Sequence, residues 1–288
     1  MKLTDIREGN MNKNIFIIGG DLRISYAAQE FKRQGYSVLG FALPAGACPM
    51  AEAIEEGMEK SDIVLLPVPV SADKKTLNAP LGREKIYLSS ISDAAGDKKI
   101  IFGGKVPEGV FSGKVFDYAE REDFAVLNAV ITAEGVLEIA MRERECALWG
   151  SRVLIVGFGR IGKMCCKMFS GIGASVCASA RKSGDIALIK AFGYESYETR
   201  KIEDIIADFD IIINTVPQRI ITDKALEKVK KGAIIIDTAS TPGGVDINAA
   251  KALGINALWA LSLPGKVAPK TSGDIICDTV LSILEKGM

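Results

Sequence analysis

The sequence predicts an α/β protein made of two open parallel-sheet domains. Short apolar runs alternate with helical patterns along the whole chain, the signature of parallel strands covered by helices on both faces. The length of 288 residues corresponds to roughly two domains at about 150 residues each. Apolar residues make up 48% and charged residues 25%, a balance that supports a large packed core rather than disorder.

The first half opens with a strand at 15–18, then Gly19-Gly20-Asp21 and a helix through about Gln34. Further strands are expected at 38–41, 63–66, 86–88, 100–102 and 115–118, with Pro67 and Pro69 stopping the third. A long helical pattern at 124–145 joins the halves. Its buried positions are read as Val126, Leu127, Val130, Leu137 and Met141, with a break near 132–135 because Gly135 weakens a helix by ~1 kcal/mol. The second half has strands at 152–156, 175–179, 195–197, 211–215, 233–237 and 257–260. The helix after Gly159 places Ile161, Met164, Cys165, Met168, Phe169 and Ile172 on one face. The resulting division is 1–123, a connecting helix at 124–147, a second domain at 148–271, and a closing helix at 272–288 expected to pack on the first domain.

Composition excludes several functions. The net charge is zero, with 16 basic and 18 acidic residues through Val130 and 20 against 18 beyond it. Neither half is a basic arm for nucleic acid. There is no histidine, which removes every Ser–His, Cys–His and His–carboxylate mechanism and the commonest zinc ligand. The six cysteines contain no C-x-x-C pair and read as buried reduced thiols. No metal site is expected. The first eleven residues are charged and carry no apolar core, so they do not read as a leader. No apolar run of ~18 residues is read, so no membrane span is expected.

Residues 152–162 read R-V-L-I-V-G-F-G-R-I-G: a strand, then Gly157, Phe158, Gly159, Arg160, Ile161 and Gly162, then an amphipathic helix. This is the context of a Rossmann dinucleotide site. Gly157 makes the turn, Gly159 admits a pyrophosphate, and Gly162 lets helix and strand pack closely. A structural glycine turn is the plainer alternative. The second strand ends Ser179-Ala180-Arg181-Lys182-Ser183. Ala180 stands where an NAD site carries an acid, and the cations and hydroxyl after it suit a 2′-phosphate, which points to NADP(H). A solvated basic loop is the competing reading. Thr215, Val216 and Pro217, and Thr238, Ala239 and Ser240, follow later strands, where ligands of such sheets lie.

The segments G-G-D-L-R at 19–23, E-R-E-D-F-A-V-L-N-A-V-I-T-A-E-G at 120–135, G-F-G-R-I-G with S-A-R-K, I-N-T-V-P at 213–217, D-T-A-S-T-P-G-G at 237–244 and L-P-G-K-V-A-P-K-T-S-G at 263–273 occur in that order. Together they resemble the A subunits of dipicolinate synthase over nearly the whole chain. The resemblance implies a substrate domain followed by a Rossmann domain, an architecture like that of the 2-hydroxyacid dehydrogenases. It implies NADP-dependent oxidation of a dihydro- or hydroxytetrahydro-dipicolinate, from the lysine pathway, to pyridine-2,6-dicarboxylate. It also implies a partner, the flavoprotein B subunit, together with a cytoplasmic location and a role in sporulation. Against that family's pattern, Ile131 stands where proline is usual and Leu261-Ser262 where Pro-Gly is usual, and the segment before about Asn12 reads as an extension, with Met11 as an alternative start.

Such a reaction needs cations for two carboxylates and a proton acceptor. Arg23 is the expected carboxylate binder, with Asp21 beside it, although Arg23 also reads as a surface ion pair and Asp21 as a helix cap. Arg121 reads as part of a solvated helix start. Asn128, Thr132 and Glu134 are expected on the cofactor side of the connecting helix, with Glu134 as proton acceptor. Lys266 and Lys270 are placed in a loop able to close over substrate, or are ordinary surface lysines. Two other readings stay open: an NADP(H)-binding, non-catalytic subunit or sensor serving the flavoprotein, and a general NADP-dependent 2-hydroxyacid or amino-acid dehydrogenase. The second is disfavoured because such hydroxyacid enzymes commonly use a histidine. A homo-oligomer is compatible with the sequence.

Overall fold

The structure is a computed structural model and describes residues 14–44 and 46–286. The segment expected to be an extension, with the alternative start at Met11, lies outside the described residues. The chain forms two compact units, 1–128 with 268–288, and 129–267.

The first unit holds β1 (Asn14–Ile18), α1 (Leu22–Arg33), β2 (Ser37–Phe41), α2 (Ile54–Lys60), β3 (Ile63–Leu65), α3 (Leu88–Ala95), β4 (Ile100–Gly103) and β5 (Lys114–Asp117). Its sheet is wholly parallel, in the order β2-β1-β3-β4-β5. Successive residues of β1 serve opposite faces. Ile15 and Ile17 pack with Ile24, Ala27 and Phe31 of α1, whereas Phe16 and Ile18 pack with Met58 of α2 and Ile91 of α3. All four are fully buried, as a strand covered on both sides requires.

The expected strand at 86–88 does not form. Leu88 opens α3, and only Tyr87 makes an isolated bridge, to Thr76. Ile86 and Leu88 are both buried, so the alternation is real, but it belongs to an extended entry into a helix.

α4 (Glu122–Glu143) is continuous, without the expected break. A Cβ at Gly135 would stand 2.9 Å from Leu263 Cβ, so the glycine serves close approach and the helix absorbs its cost. The expected burial of α4 is also corrected. Val126, Leu127 and Met141 are exposed, and Val130 and Leu137 half-buried. The buried side in the second unit is Ala133, Val136, Ile139 and Ala140. The helix is apolar around most of its circumference, so its own pattern does not single out the buried side. By length and composition α4 is apolar enough to cross a membrane, contrary to the expectation of no such run, and half of that stretch is buried inside the protein.

The second unit continues with β6 (Arg152–Val156), α5 (Arg160–Gly171), β7 (Ser175–Ala180), α6 (Ser183–Ala191), β8 (Glu195–Glu198), α7 (Ile202–Ile205), β9 (Ile211–Asn214), α8 (Asp223–Glu227), β10 (Ile234–Asp237), α9 (Ile247–Ala252), β11 (Asn256–Trp259) and α10 (Leu263–Val267). Its parallel sheet runs β11-β10-β9-β6-β7-β8. Val153 and Ile155 face α4 and α5, while Leu154 and Val156 face the side covered by α7, α8 and α9. Five cysteines are buried as expected, but Cys146 is exposed.

α11 (Pro269–Lys286) belongs to the first unit. Ile276, Cys277, Val280, Ile283 and Leu284 join the α1 core. The helices meet so closely that a Cβ at Gly273 would lie 2.5 Å from the Arg23 carbonyl oxygen and 2.7 Å from Tyr26 Cβ. Gly273→Ala is therefore expected to destabilise by about 1–3 kcal/mol and lower the melting temperature by roughly 3–10 °C. Calorimetry on the full chain checks this, and an unchanged melting temperature would disprove the close seating.

Candidate functional site: strand ends at the switch point of the second sheet

The order of the second sheet puts β6 between β9 and β7, so connections leave the middle of the sheet in opposite directions. The carboxyl ends of β6 and β9 border that switch point, where ligands of open α/β sheets bind. The glycine turn sits there. Gly157 has φ +98°, and a Cβ on it would strike Thr215 Oγ1 at 2.5 Å and Val216 Cγ2 at 2.8 Å. A Cβ on Gly162 would lie 2.1 Å from the Gly157 carbonyl oxygen, so helix and strand meet as the motif demands. A Cβ on Gly159 would meet nothing within 4 Å, which leaves room for a pyrophosphate over the turn.

Gly159 is also the N-cap of α5. It carries no side-chain cap, and the first turn holds no acid. The N–H groups of Arg160, Ile161 and Gly162 therefore stand at the positive end of a twelve-residue helix. Phe158 is buried against Phe192, with ring centroids 6.1 Å apart, and Lys163 lies 5.6 Å over its ring.

At the end of β7, Ala180 is buried and Arg181, Lys182 and Ser183 are exposed. Arg181 and Lys182 have no carboxylate partner among the described residues. Ser179 is fully buried: its carbonyl accepts from Gly157 N at 3.1 Å, and its hydroxyl lies 3.4 Å from Thr199 Oγ1. Its side chain thus fixes β7 rather than facing a ligand, a correction to its expected role. Thr215 Oγ1 donates to Val156 O and Thr238 Oγ1 to Asn214 O, both at 2.9 Å. These hydroxyls tie strand ends together. Ala239 is buried, while Pro217 and Ser240 are exposed.

The sequence reading missed the pair beneath these loops. β9 and β10 read I-I-I-N and I-I-I-D, and their register places Asn214 beside Asp237. Both are essentially inaccessible. Asp237 Oδ1 accepts from Asn214 Nδ2 at 2.8 Å and Ala239 N at 3.0 Å, and Oδ2 accepts from Gly244 N at 2.7 Å and Val245 N at 3.2 Å. Asn214 Nδ2 also donates to Val216 O at 3.0 Å, and Asn214 Oδ1 accepts from Val216 N at 3.2 Å. One carboxylate and one amide thereby fix both loops. The signal was a polar residue closing each isoleucine triplet.

In the first unit, Asp21 caps α1, its Oδ1 accepting from Arg23 N at 3.0 Å. Arg23 is buried. Its Nε donates to Asp21 Oδ1 at 2.9 Å, and its Nη2 to Asp21 Oδ2 at 2.9 Å and Val68 O at 2.7 Å. Nη1 has no hydrogen-bond partner among the described residues. Tyr118, whose hydroxyl donates to Leu66 O at 3.1 Å, is wholly buried, and burial pushes its phenol well above the ordinary range. Arg121 pairs with Asp123 at 2.7 Å in an exposed bridge.

The expected grouping of Asn128, Thr132 and Glu134 is corrected by the continuity of α4. Two helical residues that are two positions apart lie about 200° apart around the axis. Thr132 is buried, Asn128 four residues earlier is half-buried, and Glu134 is exposed on another side. The expected loop around Lys266 and Lys270 is helical: Lys266 lies in α10, and Lys270 opens α11 in an exposed ion pair with Asp274 at 2.8 Å.

These features define a nicotinamide-dinucleotide-binding protein of the dehydrogenase type. Residues 130–252 match the family model for the D-isomer specific 2-hydroxyacid dehydrogenase NAD-binding domain, and residues 14–121 match that for the N-terminal domain of the dipicolinate synthase A subunit. The chain is 30% identical to the dipicolinate synthase A subunit of Bacillus subtilis (strain 168), over 94% of this chain and 95% of that one. It is similar to the crystal structure of the dipicolinate synthase A subunit from Bacillus halodurans, with TM-score 0.86 and 27% identity, covering 96% of this chain and 99% of the other. D-lactate dehydrogenase of Escherichia coli, at 15% identity and TM-score 0.62 over 95% of this chain and 97% of the other, shares the fold. The chain belongs to the family of dipicolinate synthase A subunits.

Asp237→Asn turns an amide N–H₂ toward N–H groups that need an acceptor. It is expected to cost about 1–3 kcal/mol and to weaken dinucleotide binding, read by denaturant midpoint and fluorescence titration. A variant unchanged in both would remove Asp237 as the organiser of these loops.

Proposed function

We infer that this chain is an NADP-dependent oxidoreductase that oxidises a cyclic imino dicarboxylate, a dihydro- or hydroxytetrahydro-dipicolinate, to pyridine-2,6-dicarboxylate. The observation that carries the cofactor choice is the end of β7. Ala180 stands where an NAD site has an acid, and Arg181 and Lys182, with no carboxylate partner among the described residues, follow it. A guanidinium, an ammonium and the Ser183 hydroxyl suit a 2′-phosphate, and no carboxylate at position 180 repels it.

When bound, NADP⁺ supplies the hydride acceptor. The chain's residues bind and orient. The N–H groups at the start of α5 would hold the diphosphate, and the Gly157 turn, backed by Thr215 and Val216, would form the floor beneath it. The Asn214–Asp237 pair keeps the loops at 215–217 and 238–240 rigid, so little ordering is left for binding. In the first unit, Arg23 offers the Nη1 edge to a substrate carboxylate, its other edge being fixed by Asp21. The dihydro substrate loses a hydride and a proton, and the hydroxytetrahydro compound also loses water. Aromatisation favours the product. Glu134, exposed and apart from Thr132, is assigned no step, and the proton passes to solvent.

A second reading has support of its own. The chain lacks histidine, and Asp21 is occupied by Arg23, so an acid–base residue is scarce. A cytoplasmic complex in which a flavoprotein B subunit shares the redox step fits that scarcity. NADP⁺ reduction by the purified chain with freshly made precursor, with and without the flavoprotein, decides between them. Aromatic product from the chain alone places the oxidation here. Product only from the pair makes this one part of a shared site, and product from the flavoprotein alone removes the proposed activity.

Arg181→Ala is expected to weaken NADPH binding at least about tenfold, ~1.4 kcal/mol, while leaving NADH within about twofold. Fluorescence titration of both cofactors checks this, and an equal loss for the two would return the site to NAD.

A further inference from the structure

Loops following β3, β4 and β5 in the first unit wall a cavity of about 420 Å³. Lys74 and Lys105 line it from two different loops. Both have left-handed backbones, with φ +62° and +55°. That region is sterically poor for a lysine and far better suited to glycine or asparagine. Neither lysine has a carboxylate partner among the described residues.

The surrounding loops impose the strain. Asp73 accepts from Lys75 N at 2.8 Å and Thr76 N at 2.7 Å and from the hydroxyls of Ser71 and Thr76, which hold its carboxyl well below the ordinary range. Asp117 accepts from Lys105 N at 3.0 Å, Val106 N at 2.8 Å and Ala119 N at 2.8 Å. Two loops thus each hold an unfavourable lysine conformation at one cavity. Strain held in this way by over-determined loops gathers at ligand sites. Glu108 and Glu120 also line the cavity and are exposed. Asp117 has spent its acceptors on backbone, so the groups left for a ligand are two cations and two carboxylates.

We infer that this cavity binds a small amino- or imino-dicarboxylate, its carboxylates on Lys74 and Lys105 and its protonated nitrogen toward Glu108 and Glu120. The inference rests on the substrate class proposed above and adds a second cationic place to the carboxyl edge of the sheet that carries Arg23. An all-anionic ligand would meet the glutamates, and a simple cation would meet the lysines. A ligand carrying both signs satisfies the set.

Piperidine-2,6-dicarboxylate, which is stable and keeps a protonated nitrogen, is the probe. Its binding to the full chain is measured by calorimetric titration, for the wild type, a Lys74→Asn/Lys105→Asn double variant and Arg23→Gln. Asparagine accepts the left-handed backbone and removes the charge. The expected result is wild-type binding weakened at least tenfold in the double variant, whose melting temperature is unchanged or higher and whose NADPH binding is intact. Equal binding by the double variant overturns the inference, as does a wild type that binds no probe or a loss produced only by Arg23→Gln. NADP⁺-linked turnover of the precursor by the wild type would leave the proposed function standing in each of those cases.

Discussion

A parallel strand buried on both faces has no place along its length for an unpaired polar side chain, because neither side offers water. In this chain that constraint governs where chemistry can occur. β1, β4, β9 and β10 are almost wholly apolar through their middles. Polar residues appear where the strands end: Asp21 beyond β1, Asn214 on β9 and Asp237 on β10. Because all strands in a sheet point the same way, these ends gather at one edge. The dinucleotide turn and its supporting loops lie on that edge of the second sheet, and Arg23 and the lysine-lined cavity lie on the corresponding edge of the first.

Burying polar groups at such an edge is tolerable only when each is satisfied. Asp237 meets the condition with four donors, and Asn214 with both ends of its amide. The same accounting separates structural from recognition charges. Arg23 spends two of its three nitrogens on Asp21 and Val68. Arg181 and Lys182 keep their charge exposed and have no carboxylate partner among the described residues. A cation paired on one edge is a positioned recognition group. An unpaired cation on a loop gains most from an anionic ligand that arrives from solvent.

Much of the architecture was legible in the sequence. Both sheets, the glycine turn and the missing acid at Ala180 follow from local pattern, since periodicity and turn chemistry are set by neighbours along the chain. The misreadings share a cause. The strand expected at 86–88, the break expected at Gly135 and the buried side expected of α4 were decided by contacts with residues far away. Ile86 and Leu88 alternate because they enter a core in an extended stretch. Gly135 is small because Leu263 approaches it.

What the sequence determined by itself was the parallel α/β class, the dinucleotide turn, its cationic neighbour at 181–183 and the exclusion of histidine chemistry. All of these depend on residue type at fixed spacing. The tertiary structure decided which groups come together: Asn214 with Asp237, the Arg23 guanidinium with the Val68 carbonyl, and Lys74 and Lys105 around one cavity. It also turned Glu134 away from Thr132. Pairing across a sheet or between loops depends on register and packing, and separations of 23 or 45 residues along the chain carry no local signal of such contacts.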